Sequence, residues 1–126
     1  VIIWNNALAK LTGVPADEVA GTRDHWRGFY REKRPCAADL LIAGDDHFEE
    51  LYEDIVSYSQ SERRISAENW CHFPHAKEPR YLAIDAGPIF SECGTLIAVV
   101  ETLRDITAQK NAETELLRLA SVDGLT

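Results

Sequence analysis

Long apolar runs are missing from this chain. Nothing approaches the ~18 consecutive apolar residues that a membrane helix needs, so no membrane contact by this chain is expected. No signal-peptide pattern opens it. Basic residues are in short supply, 13 Lys and Arg against 21 Asp and Glu, for a formal net charge of -8. Nucleic acid is therefore excluded as the main partner, because phosphate contacts need clustered cations. Cysteine is sparse too. Cys36, Cys71 and Cys93 are odd in number, widely spaced and never paired as Cys-x-x-Cys. That speaks against a disulfide framework and predicts free thiols in a reducing, cytoplasmic compartment. There is no Gly-x-Ser-x-Gly, no His-Glu-x-x-His and no phosphate-cradling glycine loop, so no catalytic residue is assigned and the chain is not expected to be an enzyme. Its carboxylates are scattered at helix starts and on solvent faces. Internal repeats and low-complexity segments are lacking.

What is present suits one domain. A chain of 126 residues can bury a core, since domains of this size remove roughly two thirds of their unfolded surface from water. It starts without Met, inside the apolar run Val1-Ile2-Ile3-Trp4, and so reads as a piece of a longer protein. That run is β-branched and aromatic and predicts a strand. Asn5-Asn6 offers a cap for a short helix over 7–11. Thr12-Gly13-Val14-Pro15 breaks it, and Pro15 opens a second short helix over 16–20, with Asp17 and Glu18 near its positive end and Gly21 closing it. Residues 36–43 form a third, ended by Gly44. Phe48, Leu51, Tyr52, Ile55 and Val56 recur at helical spacing and predict a longer helix over 47–59, capped by Asp45-Asp46.

Strands follow. From Arg64 to Phe73 the residues alternate, with Ile65, Ala67, Asn69, Cys71 and Phe73 on one face and Ser66, Glu68, Trp70 and His72 on the other. A polar loop from Pro74 to Pro79 leads to a strand over 80–90, with Leu82, Ile84 and Ala86 on one side and Gly87-Pro88 bending it or fraying it as an edge. The strand over 95–104 is the most apolar and is expected at the sheet's centre. Charged residues 108–120 predict a helix on which Gln109, Ala112, Leu116 and Leu119 form a 3-4 seam suited to a paired coiled coil. The order defines an α+β class, an antiparallel sheet with short helices on one face plus a C-terminal linker helix.

These residues resemble a PAS sensor domain. Val1 to Leu8 resembles the family's second strand and following helix. Leu11-Thr12-Gly13-Val14-Pro15-Ala16-Asp17-Glu18-Val19-Ala20-Gly21 resembles its Thr-Gly-then-acidic helix pair. Thr95 to Val100, followed by Arg104-Asp105-Ile106-Thr107, resembles its last strand and Asp-Ile-Thr exit. The resemblance covers residues 1–107 and departs from the family twice. The family's first strand would precede Val1, and the stretch Thr22 to Ala43 is longer and less helical than usual. A second resemblance lies in Leu119 to Thr126, where Asp123-Gly124-Leu125-Thr126 is similar to the opening of a GGDEF-type diguanylate cyclase domain. It implies three segments: a sensor over 1–107, a linker helix over 108–122, and the first residues of an output domain over 123–126.

The PAS resemblance implies a ligand site between sheet and helices, with Trp26, Tyr30, Cys36, Asp39, Tyr52, Asn69 and Cys71 as candidates to line it. Trp26, Phe29 and Tyr30 alternate with Arg23, Arg27, Arg31, Lys33 and Arg34, which allows cation–π contacts. The stretch is either a surface loop anchored by its aromatics or part of a ligand site. Haem is not expected, because His47 sits in an exposed Asp45-Asp46-His47 turn. Flavin is not expected, because Cys36 lies in Arg34-Pro35-Cys36-Ala37-Ala38, not in the flavin-thiol signature. Metal is not expected either: Cys71 and His72 point to opposite faces, His75 lies in a loop, and a site would need Cys36 or His25 brought from elsewhere. The ligand itself stays unnamed.

The expected function is that of a regulatory module. A small molecule in the interior acts on strand 95–104, Asp105, Ile106 and Thr107 pass the change on, and the linker helices of a homodimer rearrange to control diguanylate cyclase domains. The alternative is a ligand-free dimerisation module whose outer sheet face, Trp70, His72 and Tyr81, meets a partner.

Overall fold

The computed structural model describes residues 3–124, with side chains through Ser121. The expected strand at Val1-Ile2 and the final Leu125-Thr126 lie outside the described residues. Ile3 and Trp4 are not in a strand. Trp4 instead buries its indole, whose Nε1 donates to the Val14 carbonyl at 2.9 Å. Helix α1, Asn6–Thr12, starts where Asn5 accepts the Leu8 amide at 2.9 Å and stops at Gly13, whose φ of 76° places it in the left-handed region. Helix α2, Ala16–Val19, follows Pro15.

The sequence then folds into a 3-10 turn, His25–Gly28, and helix α3, Ala37–Ala43. Phe29 buries itself against Trp4 and Phe73, with ring centroids 5.8 and 6.0 Å away. Gly28 permits this closeness, because a Cβ there would meet the Trp4 ring at 3.1 Å.

The helix expected over 47–59 is not formed. A single 3-10 turn, Phe48–Glu50, gives way to strand β1, Asp54–Ser59. Helical spacing and strand hydrogen bonding competed for these residues. The β-branched pair Ile55-Val56 and the aromatic Tyr58 fit the pleated surface, and pairing with the next strand settles the outcome. Tyr58 still packs on Phe48, with centroids 4.9 Å apart.

Strand β2, Arg64–Cys71, strand β3, Arg80–Phe90, and strand β4, Leu96–Asp105, complete a four-stranded antiparallel sheet in the order β1-β2-β3-β4. The expected alternation in β2 holds, with Ile65, Ala67, Asn69 and Cys71 all buried. Pairing of Ala67 with Ile84, and of Ile84 with Leu103, carries one inner face across the sheet. The central position expected for the most apolar strand is not observed. Among the described residues β4 pairs with β3 alone and is an edge. Val99 and Leu103 pack on the core, while Ile97 and Val100 are 61% and 49% exposed. Its apolarity therefore does not report burial on two faces. Beyond Ala86, β2 pairing ends and Gly87-Pro88 bond only to β4, which is where proline is tolerated.

Helix α4, Thr107–Gly124, leaves the sheet directly after β4. The arrangement is α+β, with the antiparallel sheet, the short helices and the C-terminal helix all as expected. No helix among the described residues is long and apolar enough to cross a membrane.

Candidate functional site

Helix α3 packs against β3 and β4, and the polar groups converge where its first turn meets the inner face of β4. The Asp39 carboxylate reaches back to accept the Cys36 amide at 2.8 Å, closing the first turn of α3. The same oxygen, Oδ2, lies 2.7 Å from Nε2 of His25, carried there by the preceding 3-10 turn. The Ala38 amide donates to Oε1 of Glu101 at 3.2 Å. Glu101 faces inward because it shares strand parity with Val99 and Leu103.

The electrostatics follow from burial. The hydrogen bond that His25 donates to Asp39 raises the pKa of the imidazole, against the effect of burial. Burial acts to raise that of Asp39, but the His25 bond and the Cys36 amide outweigh it and hold it low. The two shifts agree on an ionised pair. Burial pushes Glu101 up to about 7. Burial, then the Glu101 and Asp39 charges, raise Cys36 above its ordinary range. Burial pushes Cys71 up to about 12, with Arg34 opposing. Thiols held protonated in this way are poor nucleophiles.

Tyr30 and Tyr52 share a side-chain hydrogen bond, and burial raises both phenols. The Arg34 guanidinium lies 3.8 Å above the Tyr30 ring and 5.7 Å from that of Tyr52. Its Nη2 donates to the Leu51 carbonyl at 3.0 Å. The expected contact between aromatics and cations in this segment is thus formed by Arg34. Among the described residues, three buried polar atoms have no hydrogen-bond partner, namely His25 Nδ1, Trp26 Nε1 and Arg34 Nε. All belong to the stretch between α2 and α3.

Of the candidate lining residues, Cys36 lies close enough to Tyr30, Asp39, Tyr52 and Cys71 for their charges to interact with it. Trp26 packs at the edge of the core. Asn69 does turn inward, but its Oδ1 accepts the Glu53 amide at 3.3 Å, a partner not foreseen. Sequence reasoning missed Glu101 and gave His25 and Arg34 no place in the lining. An acid on the inward parity of an apolar strand was the available signal for Glu101. Open clefts lie elsewhere. One of about 430 Å³ runs across the outer face by Ser66, Asp85 and Thr102, and another of about 240 Å³ lies by Leu41 and Arg63. No candidate lining residue borders either.

At the far end of β4 the exit segment is tied down. Asp105 accepts the Thr107 amide through Oδ1 at 3.0 Å and Arg80 Nε through Oδ2 at 2.7 Å. The Thr107 hydroxyl also donates to Asp105, and its oxygen accepts the Tyr81 amide at 2.8 Å. The Ile106 amide donates to the Tyr81 carbonyl at 2.9 Å. Lys110, one turn into α4, lies 4.9 Å from the centre of the Tyr81 ring. Tyr81 itself is 1% exposed and donates to Asp54 at 2.8 Å. It is therefore withdrawn from the outer surface on which a partner contact through Trp70, His72 and Tyr81 was expected.

No protein-family model and no curated protein matches this chain.

Proposed function

We propose that this chain is a regulatory PAS-type module that controls a C-terminal diguanylate cyclase through its linker helix. In this reading residues 1–107 sense, 108–122 link, and 123–126 open the output domain. The chain binds a small molecule in its interior, acts as a homodimer, and works in the cytoplasm. The observation that carries the reading is the architecture of β4. One strand bears Glu101 against the polar interior and Asp105 at the clamp that fixes α4. A ligand with different affinities for two positions of β4 shifts their populations, and α4 follows through the clamp.

The resemblance of the tail to a cyclase opening supplies the identity of the output. Exposed apolar residues favour assembly as part of the same reading. Leu116 and Leu117 are 67% and 66% exposed on α4. A ligand-free dimerisation module is the second reading, favoured by clefts that lie away from the interior candidates.

Native mass spectrometry of the purified chain separates the two readings. A dimer carrying a co-purified small molecule is expected. A tight dimer with nothing bound, and no melting shift across a metabolite panel, favours the second reading. Transmission is tested by Thr107→Ala in the cyclase-bearing protein. Unchanged basal and stimulated cyclase rates would remove the clamp from the mechanism.

A further inference from the structure

We propose that His25, Cys36 and Asp39 form a binding site for one divalent transition-metal ion of the zinc type. A His25 ring nitrogen, the Cys36 sulfur and an Asp39 carboxylate oxygen lie within 4.8 Å of one another. In a tetrahedral zinc site, bonds of about 2.0–2.3 Å place ligand atoms roughly 3.3–3.8 Å apart. His25 and Asp39 stand closer than that, at 2.7 Å, and no two of the three donors are more than 4.8 Å apart, so side-chain rotation can bring them to that spacing. Imidazole, thiolate and carboxylate together suit an ion of intermediate softness, not calcium or magnesium.

Two observations set this group apart from an ordinary half-buried ion pair. Nδ1 of His25 is buried without a partner, so the ion pair with Asp39 does not account for the ring's polar capacity. Cys36, 2% exposed, adds nothing to that pair, yet it sits where the Asp39 and Glu101 carboxylates both act on it. Two acids and a thiol around one point make an environment that favours a cation. On loading, the thiol releases its proton to solvent and the 2.7 Å contact between His25 and Asp39 opens to admit the ion. Asp39 stays anchored by the Cys36 amide. The remaining position is left for water or a ligand atom, as in zinc sites that do more than hold structure. Asp45, Asp46 and His47 form a second, exposed cluster, which serves as the internal control.

Cobalt(II) titration of the chelator-treated chain tests the site. One equivalent is expected to bind and to produce a thiolate-to-cobalt charge-transfer band, which only a cysteine ligand gives. Cys36→Ser is expected to abolish the band, and His25→Gln to weaken binding by at least about tenfold. Cys93→Ser and His47→Ala are expected to leave it intact. Failure to bind cobalt, binding without a thiolate band, or a band that survives Cys36→Ser overturns the proposal. Should a variant not fold, the spectrum of the unaltered chain decides alone. The site stands apart from the regulatory reading. Cobalt bound with the expected band supports the site whether or not cyclase output changes.

Discussion

Glu101 and Asp105 are two carboxylates on the same face of one strand, and their surroundings treat them oppositely. Glu101 is pressed against the start of α3, where burial pushes its pKa to about 7 against the hydrogen bonds of the Ala38 and Ala37 amides. At Asp105 burial also acts upward, but the hydroxyl and amide of Thr107 and the guanidinium of Arg80 prevail and hold it below the ordinary range. The inner end of β4 thus carries a charge that the fold tolerates at a cost, and the outer end carries one that the fold uses as a fastening. A carboxylate whose desolvation outweighs the donors that reach it is retained despite that penalty. One that gathers three donors stabilises the element boundary it sits on.

The largest effect is expected from breaking the fastening at its aromatic centre. Tyr81→Ala removes a 1%-exposed ring that packs on Trp70 at 5.1 Å and receives Lys110 from α4. A loss of about 3–5 kcal/mol is expected in urea unfolding. A loss below about 1 kcal/mol would mean that α4 and β3 are not joined through this ring.

Asp105→Ala should follow, at about 1–2 kcal/mol, because it leaves the Thr107 amide and Arg80 without their acceptor. The sign with pH is fixed by the lowered pKa. The stabilisation by Asp105 is complete above its unfolded value and disappears as pH falls through the lower folded one. Native chain and variant should therefore converge in stability only in strong acid. Convergence near neutral pH would contradict the fastening. Glu101→Gln is the opposite case and is measured in the presence of a chelator. A raised folded pKa means that the native chain loses stability as pH climbs from 4.5 towards about 7. The variant should match it in acid and exceed it above neutrality. A variant less stable at pH 8 would place a compensating cation beside Glu101.

These positions also show what the chain's pattern could reveal. Asp105 and Thr107 were singled out only through a resemblance, although the hydrogen bond that joins them is local and spans two residues. The buried face of β2 was legible because period-two alternation needs no knowledge of the neighbouring strands. The segment 47–59 was misread because Phe48, Leu51, Tyr52, Ile55 and Val56 satisfy helical spacing by coincidence. Only the ladder to β2, with its irregularity between Ile55 and Ser57, shows that it is a strand. The interior cluster was half legible. Cys36 and Asp39 share one turn of α3, but His25 and Glu101 come from 14 and 63 residues away in the bonds that join them to it. No local pattern records such a meeting.

The smallest change in fold stability is expected on α4. From Asn111 to Ser121 every described side chain of the helix is exposed, including Leu116, Leu117 and Leu119. Leu116→Lys with Leu119→Lys should thus alter unfolding of the sheet domain by no more than about 0.5 kcal/mol. The same pair interrupts the 3-4 seam on which helix pairing would depend, since a lone helix of this length is marginal in water. If the proposed homodimer is held by this seam, sedimentation of the chain should show association weakened by at least about tenfold, the effect of losing roughly 1.4 kcal/mol of association energy. If the double variant still dimerises as tightly as the native chain, the partner is not held by α4. The exposed edge of β4, where Ile97 and Val100 remain uncovered, then becomes the surface to alter.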